Sequence, residues 1–278
     1  KTINYYVNYC KVVNMNSFLK VIKAPYFLAI SLFTMLFLFI GISLAQVKGD
    51  SASATIDASS HVELASLSRV ESNVRNAAVK VVVPGGGHGS GTYVRINGLD
   101  IVLTARHVAD REGVYIIKAG DEEVTGVVVY RNDEHDIAAI LIDGMQTRRP
   151  MRFRPLSGAA DVGEETVYSG YPSDHSLLTF RGMVVGYASH GNLGNSIIVH
   201  TFGWFGCSGS GVYDNRGRLI GILWGVDAQG TPFGGQIVED VLWIAPASQI
   251  DIDEIMRNSC TLKLGSEDCA RYLENSRE

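Results

Sequence analysis

The chain has 278 residues, of which 46% are hydrophobic and 19% charged, and its formal net charge is -5. That balance belongs to a globular protein able to bury a core in one large domain or two small ones. Acidic and basic residues are interspersed, so no basic stripe is present to attract a polyanion, and nucleic acid is excluded as an expected partner.

The first 14 residues, before Met15, show no recognisable pattern. Two origins stay open. Translation beginning at Met15 leaves a short lysine-bearing region ahead of an apolar stretch, the usual proportion for a signal, and is favoured; excision from a longer polyprotein is the alternative. The segment 26–45, YFLAISLFTMLFLFIGISLA, carries no charge, follows Lys20 and Lys23, and ends in the small residues Ser43 and Ala45. It reads either as a secretory signal cleaved after Ala45 or as an uncleaved membrane anchor. A buried core helix fits poorly, because no face of the segment is polar. The folded part is therefore expected to be exported, periplasmic or secreted, or else held at a membrane through residues 26–45. Residues 46–69 are mostly small and polar and read as a linker.

From about Val70 to Pro246 the sequence offers short β-rich runs separated by glycine, aspartate and asparagine. In chain order these are AAVKVVV, SGTYVRI, DIVLTA, GVYIIKA, VTGVVVY and DIAAILI. A second series follows: MRFRPL, ETVYSGY, LLTFRGMVVGYAS, SIIVHTF, GSGVYD, RLIGILWG and QIVEDVLWI. Their length, β-branching and punctuation predict strands, and the lack of a long helix between them predicts antiparallel sheets closed into barrels or packed as sandwiches. The charged, proline-bearing stretch Asp143 to Pro155 divides them into two β units of similar size, 70–148 and 149–246. A terminal helix is expected over about Ala247 to Ser259, with Ser248 and Asp251 near its start to satisfy free backbone N–H groups.

Three side chains point to one chemistry. FGCSGSGVYD sets Ser208 between small residues ahead of a strand, IVLTARHVAD ends an apolar strand in His107, and DEHDIAAILI places Asp136 just before another. Each alone reads as structure: a glycine-flanked serine as a turn, a strand-end histidine or carboxylate as a rim residue. Together they supply what a serine hydroxyl needs to become a nucleophile. A neutral imidazole takes its proton, and a carboxylate sets the tautomer and stabilises the imidazolium.

The order His107, Asp136, Ser208, carried by TARHV, HDIAAI and GCSGSG, resembles the chymotrypsin-fold serine peptidases, in particular the bacterial and viral trypsin-like branch that includes the HtrA proteases. The resemblance covers about Val70 to Pro246, and GSGTYV at 89–94 is similar to the glycine-containing hairpin that precedes the histidine strand there. It implies an all-β fold of two antiparallel six-stranded barrels, with the active site in the cleft between them and a C-terminal helix and tail over 247–278. It implies an endopeptidase working through an acyl-enzyme, with an oxyanion hole formed by the N–H groups of Gly206 and Ser208 and with no cofactor. The substrate implied is an extended protein or peptide that adds as a strand to Leu223, Trp224 and Gly225, with Phe202, six positions before the nucleophile, at the base of an apolar specificity pocket. Cys207, Ser210 and Gly211 depart from the common GDSGGP form. The missing aspartate puts in doubt activation by a freed N-terminus, and none of the three side chains performs acyl chemistry in the family. Cys207 does not align with the reactive position.

Two further expectations come from the residues. Cys260 and Cys269 lie close together in the tail, and an export signal makes their pairing as a disulfide the expectation. No histidine sits at ligand spacing from either, so no metal site is expected. About 30 residues follow Pro246, too few for a PDZ domain. The readings carried forward are a stand-alone serine endopeptidase, a catalytically silent peptide-binding member of the fold, and a membrane-anchored protease that processes a viral polyprotein.

Overall fold

The structure is a computed structural model that describes residues 67–265 and 269, apart from 192 and 232–233. The apolar segment 26–45 and most of the expected linker lie outside the described residues. No helix among the described residues is long and apolar enough to cross a membrane.

The described chain opens with a helix the strand reading did not anticipate, α1 (Arg69–Ala77). It starts on a capping box: the Ser68 hydroxyl accepts from Glu71 N at 3.2 Å, and the Glu71 carboxylate accepts from Ser68 N at 2.6 Å. Val74 and Ala77 are buried along one face.

Six strands then form the first barrel: β1 (Ala78–Val82), β2 (His88–Ile96), β3 (Leu99–Ala105), β4 (Val114–Ala119), β5 (Glu122–Asn132) and β6 (Ile137–Ile142). Their order is β1, β4, β5, β6, β3, β2, and pairing of β1 with β2 closes the ring. The two-residue β7 (Met151–Arg152) adds in parallel to β2, outside the ring. Residues Met151 and Arg152, expected in the second unit, thus pair with the first. The chain reaches the second barrel at Arg154 to Leu156, whose backbone bonds to Leu219.

The second barrel contains β8 (Glu165–Gly170), β9 (Leu178–His190), β10 (Leu193–His200), β11 (Gly211–Asp214), β12 (Leu219–Thr231) and β13 (Gly234–Pro246), closed in the order β10, β13, β12, β11, β8, β9. A 3-10 turn (Ala247–Gln249) leads into α2 (Ile252–Leu264). The terminal helix starts later than Ala247 because Asp251 is its cap, accepting from Glu254 N at 2.8 Å; Ser248 lies in the 3-10 turn instead.

Two-residue periodicity explains why the barrels stay together. Every residue of β6 is buried. Ala138, Ile140 and Ile142 fill the first barrel, while Ile137, Ala139 and Leu141 face a second cluster between the barrels. On β12 a register shift at Ile220 interrupts the alternation, so that Ile220 and Leu223 belong to the second barrel's cluster while Leu219 and Ile222 join the same shared cluster. α2 closes that cluster with Ile255 and Met256. Strands with two apolar faces thus weld the barrels into one body, and this fixes the relation between loops contributed by each.

Candidate active site

His107 follows the end of β3 by two residues. Its backbone N–H donates to Asp136 Oδ1 at 2.8 Å, and its Nδ1 lies 2.6 Å from Asp136 Oδ2. One carboxylate therefore grips both the backbone and the ring of His107. Asp136 is buried, and its backbone adopts φ 55, a left-handed conformation that aspartate tolerates better than most residues. Its carbonyl is also used, accepting from Arg106 N at 3.0 Å. A carboxylate at Nδ1 requires the proton on that nitrogen, which leaves the Nε2 lone pair as the basic site.

Ser208 belongs to a tight turn from the second barrel that leans on the first. Ser90 N, on β2, donates to Ser208 O at 2.8 Å, and Gly209 N donates to Leu223 O at 2.6 Å. Gly209 has φ 95, and a Cβ built there would stand 2.0 Å from Ser90 O and 2.2 Å from Thr104 Oγ1. Only glycine permits this approach of the nucleophile turn to the strand that leads to His107. The Ser208 hydroxyl itself donates to Trp224 O at 3.5 Å, and among the described residues no hydrogen bond joins it to His107.

The peptide before the turn is held from one side. Phe205 O accepts from Ser173 N at 2.7 Å. In a trans peptide the N–H points opposite to the carbonyl, so Gly206 N–H is directed away from Ser173. Gly206 has φ 95, and a Cβ there would meet Tyr171 O at 2.4 Å.

The other expected site residues fall into two groups. Trp224 sits at a register shift between β12 and β13, so the regular pairing passes over it, and nothing lies within 4 Å of a Cβ built on Gly225. Leu223, by contrast, is only 1% exposed, and its backbone is bonded to the nucleophile turn, donating to Ser210 O at 2.9 Å and accepting from Gly209 N. It buttresses the turn, and access to this segment falls on Trp224 and Gly225. The Phe202 ring packs on Phe180 of β9 at 5.4 Å, while its carbonyl accepts from the Tyr168 hydroxyl.

Cys207 is fully buried, and burial pushes its thiol up from the ordinary value, which keeps it protonated and out of reach. Cys260 and Cys269 come together with a Cα separation of 5.4 Å, within disulfide range. No group of three or more His, Cys, Asp or Glu side chains among the described residues is placed to hold a metal ion.

A cavity of about 770 Å³ lies beside the Asp136 loop, lined by Glu134, His135, Tyr187, Asn195 and Gln249 among others. It includes none of His107, Asp136 and Ser208, so it is separate from the chemistry described above. Sequence reasoning gave no role to Ser90, Tyr171 or Ser173, which hold the Ser208 turn from outside. The available signal was the glycine on each side of Ser90, the mark of a strand approached closely by other backbone.

Comparison with known proteins agrees with the two-barrel fold. Residues 89–222 match the trypsin-like peptidase domain. No curated protein matches. Similar solved structures include a serine-to-alanine variant of Rv3671c from M. tuberculosis in an inactive form, with 16% identity and a TM-score of 0.54, covering 71% of this chain and 93% of that one. The inactive form of the Rv3671c protease has 17% identity and a TM-score of 0.53, covering 65% of this chain and 88% of that one. Its active form from M. tuberculosis has 16% identity and a TM-score of 0.53, over 65% and 80%. Residues 89–222 of this chain therefore match a trypsin-like peptidase domain, and the two closed barrels that hold them have the architecture of the chymotrypsin fold.

Proposed function

We propose that the chain is a serine endopeptidase in which Ser208 is the nucleophile, His107 the general base and acid, and Asp136 the residue that orients the imidazole and stabilises its protonated form. The observation that carries this reading is the double grip of Asp136 on His107, which fixes a basic Nε2.

In the proposed reaction His107 Nε2 takes the Ser208 proton as Oγ bonds to the scissile carbonyl carbon. The carbonyl π pair moves onto oxygen and is met by the N–H groups of Gly206 and Ser208. Collapse breaks the C–N bond, and the imidazolium gives its proton to the departing amine. Water, deprotonated by the same Nε2, then releases the acid from the acyl-enzyme. A substrate strand adds beside Trp224 and Gly225. In the present rotamer Ser208 bonds to Trp224 O, and rotation about χ1 re-aims it; such contacts often tighten only with substrate bound.

That same rotamer is what favours the second reading, a silent peptide-binding relative. Fluorophosphonate labelling separates the two. A stable adduct on Ser208 supports the enzyme, and an unreactive folded protein that still binds peptides supports the alternative. Export or anchoring through residues 26–45 belongs to this proposal as well, and is tested by whether the chain partitions with membranes and keeps that segment. Processing of a polyprotein is tested by cleavage at sites flanking the chain in its parent reading frame.

A further inference from the structure

We propose that Ser90 is a positioning residue for the oxyanion hole, its hydroxyl locking Gly206 in the orientation that presents its N–H to the substrate; this rests on the serine-peptidase reading. Ser90 is 0% exposed and stands on β2 of the first barrel. Its hydroxyl donates to Gly206 O at 2.7 Å and accepts from Tyr171 N at 2.9 Å. Its backbone is engaged as well: Ser90 N donates to Ser208 O at 2.8 Å, and Ser90 O accepts from Thr104 Oγ1 at 2.8 Å. One residue of the first barrel thus holds the carbonyls on both sides of Cys207 in the second.

The physical need for such a clamp lies in Gly206. A glycine at φ 95 has a shallow rotational landscape, so its neighbouring peptides keep their direction only if something outside holds them. The peptide before Gly206 is held through Phe205 O by Ser173 N, and the peptide after it through Gly206 O by Ser90 Oγ. With both planes pinned, φ and ψ are fixed and the N–H cannot swing away. Ser90 has one proton to give, and Tyr171 N already occupies one of its lone pairs, so the proton is committed to Gly206 O. Release of that bond leaves the second plane held only from its other side, by Cys207 N donating to Trp204 O at 3.0 Å, while the substrate strand at Trp224 and Gly225 is untouched.

The expected signature is kinetic. An oxyanion donor acts on charge that exists only in the transition state, so misplacing it lowers kcat and leaves KM nearly unchanged. Removal of such a donor costs about 100- to 1000-fold in kcat, and loosening it should cost about 10- to 100-fold. The experiment uses the full chain and the best cleaved member of a P1-varied fluorogenic peptide panel, with fluorophosphonate labelling in parallel. Ser90→Ala should lower kcat and the labelling rate together, with KM within about twofold. Ser90→Thr, which keeps the hydroxyl, should recover most of the rate, and Ser90→Val, its near-isostere without the hydroxyl, should not. If Ser90→Ala does not fold, the Thr and Val pair decides alone. Equal kcat in that pair, or a Ser90→Ala enzyme with unchanged kcat, overturns the role of Ser90 while wild-type labelling at Ser208 leaves the peptidase reading standing. A folded wild type that is not labelled overturns both.

Discussion

Asp136→Asn tests the geometry around His107 most sharply, because the structure leaves asparagine no good arrangement. The carboxylate accepts two bonds, from His107 N at 2.8 Å and from His107 Nδ1 at 2.6 Å. An asparagine has one acceptor and one donor group for the same two places. With its oxygen toward His107 N, the NH2 faces Nδ1, forces that nitrogen to accept, and moves the ring proton to Nε2. With the amide flipped, NH2 faces a backbone N–H, and two buried donors meet at a cost of about 1–3 kcal/mol. Either way the negative charge that stabilises the imidazolium is gone, a charge-assisted bond worth about 1.5–3 kcal/mol. The two effects together are about 2.5–6 kcal/mol, or roughly 70- to 25,000-fold in kcat. Steady-state hydrolysis of a fluorogenic peptide amide by wild type and variant, with thermal unfolding as the fold control, measures it. A folded Asp136→Asn enzyme within about tenfold of wild type would refute the tautomer argument.

Three further outcomes follow from the packing. Gly209→Ala places a Cβ 2.0 Å from Ser90 O at a positive φ, so it should destabilise the fold by about 3 kcal/mol and abolish turnover; an unchanged Tm would contradict the fit described for the nucleophile turn. Glu71 is held down to about 2, chiefly by its hydrogen bond from Arg181, against an ordinary value of 4.5. Its folded value lies below its unfolded one, so its stabilising effect is complete above about pH 4.5 and is lost as pH falls toward 2. Because Arg181 is 66% exposed, the effect is discounted to about 1–2 kcal/mol. Glu71→Gln should flatten the fall in denaturant midpoint between pH 5 and pH 3, and a parallel fall in both proteins would exclude the pair as its source. Cys260 and Cys269 are proposed to form a disulfide, so the protein isolated without reductant should gain two alkyl groups on those residues only after reduction, whereas alkylation of both without reductant would disprove it.

Much of this architecture was readable in the amino-acid order. Runs such as VTGVVVY and DIAAILI are β-branched, short and bounded by turn residues, and they became strands near the expected limits. The division into two units was legible because charge and proline concentrate between β6 and β8. Helix α1 escaped notice because Val70, Val74 and Ala77 make a thin apolar stripe among polar residues. Its capping box, Ser68 with Glu71, was the overlooked signal. MRFRPL alternates like a strand, yet only Met151 and Arg152 form one, in parallel with β2, while Pro155 makes an isolated bridge to Leu219 of the second barrel. Local pattern cannot report which sheet edge is open.

The candidate site was legible to the extent that side chains announce chemistry. His107, Asp136 and Ser208 stand out in sequence because hydroxyl, imidazole and carboxylate are reactive types at strand ends. Leu223 shows the limit, since its part is played by backbone groups bonded to Gly209 and Ser210, and backbone bonding has no residue code. Ser90 shows it again: the hydroxyl acts on a carbonyl 116 residues away, a partner that only the folded barrels bring near.

Fluorophosphonate labelling of the full chain, followed by intact mass and peptide mapping with Ser208→Ala as control, tests the central claim most directly. The reagent requires both an activated serine and a formed oxyanion hole. The account predicts one adduct on Ser208, lost in Ser208→Ala and strongly slowed in Asp136→Asn. A folded protein that takes no adduct, or takes it on another residue, would contradict it.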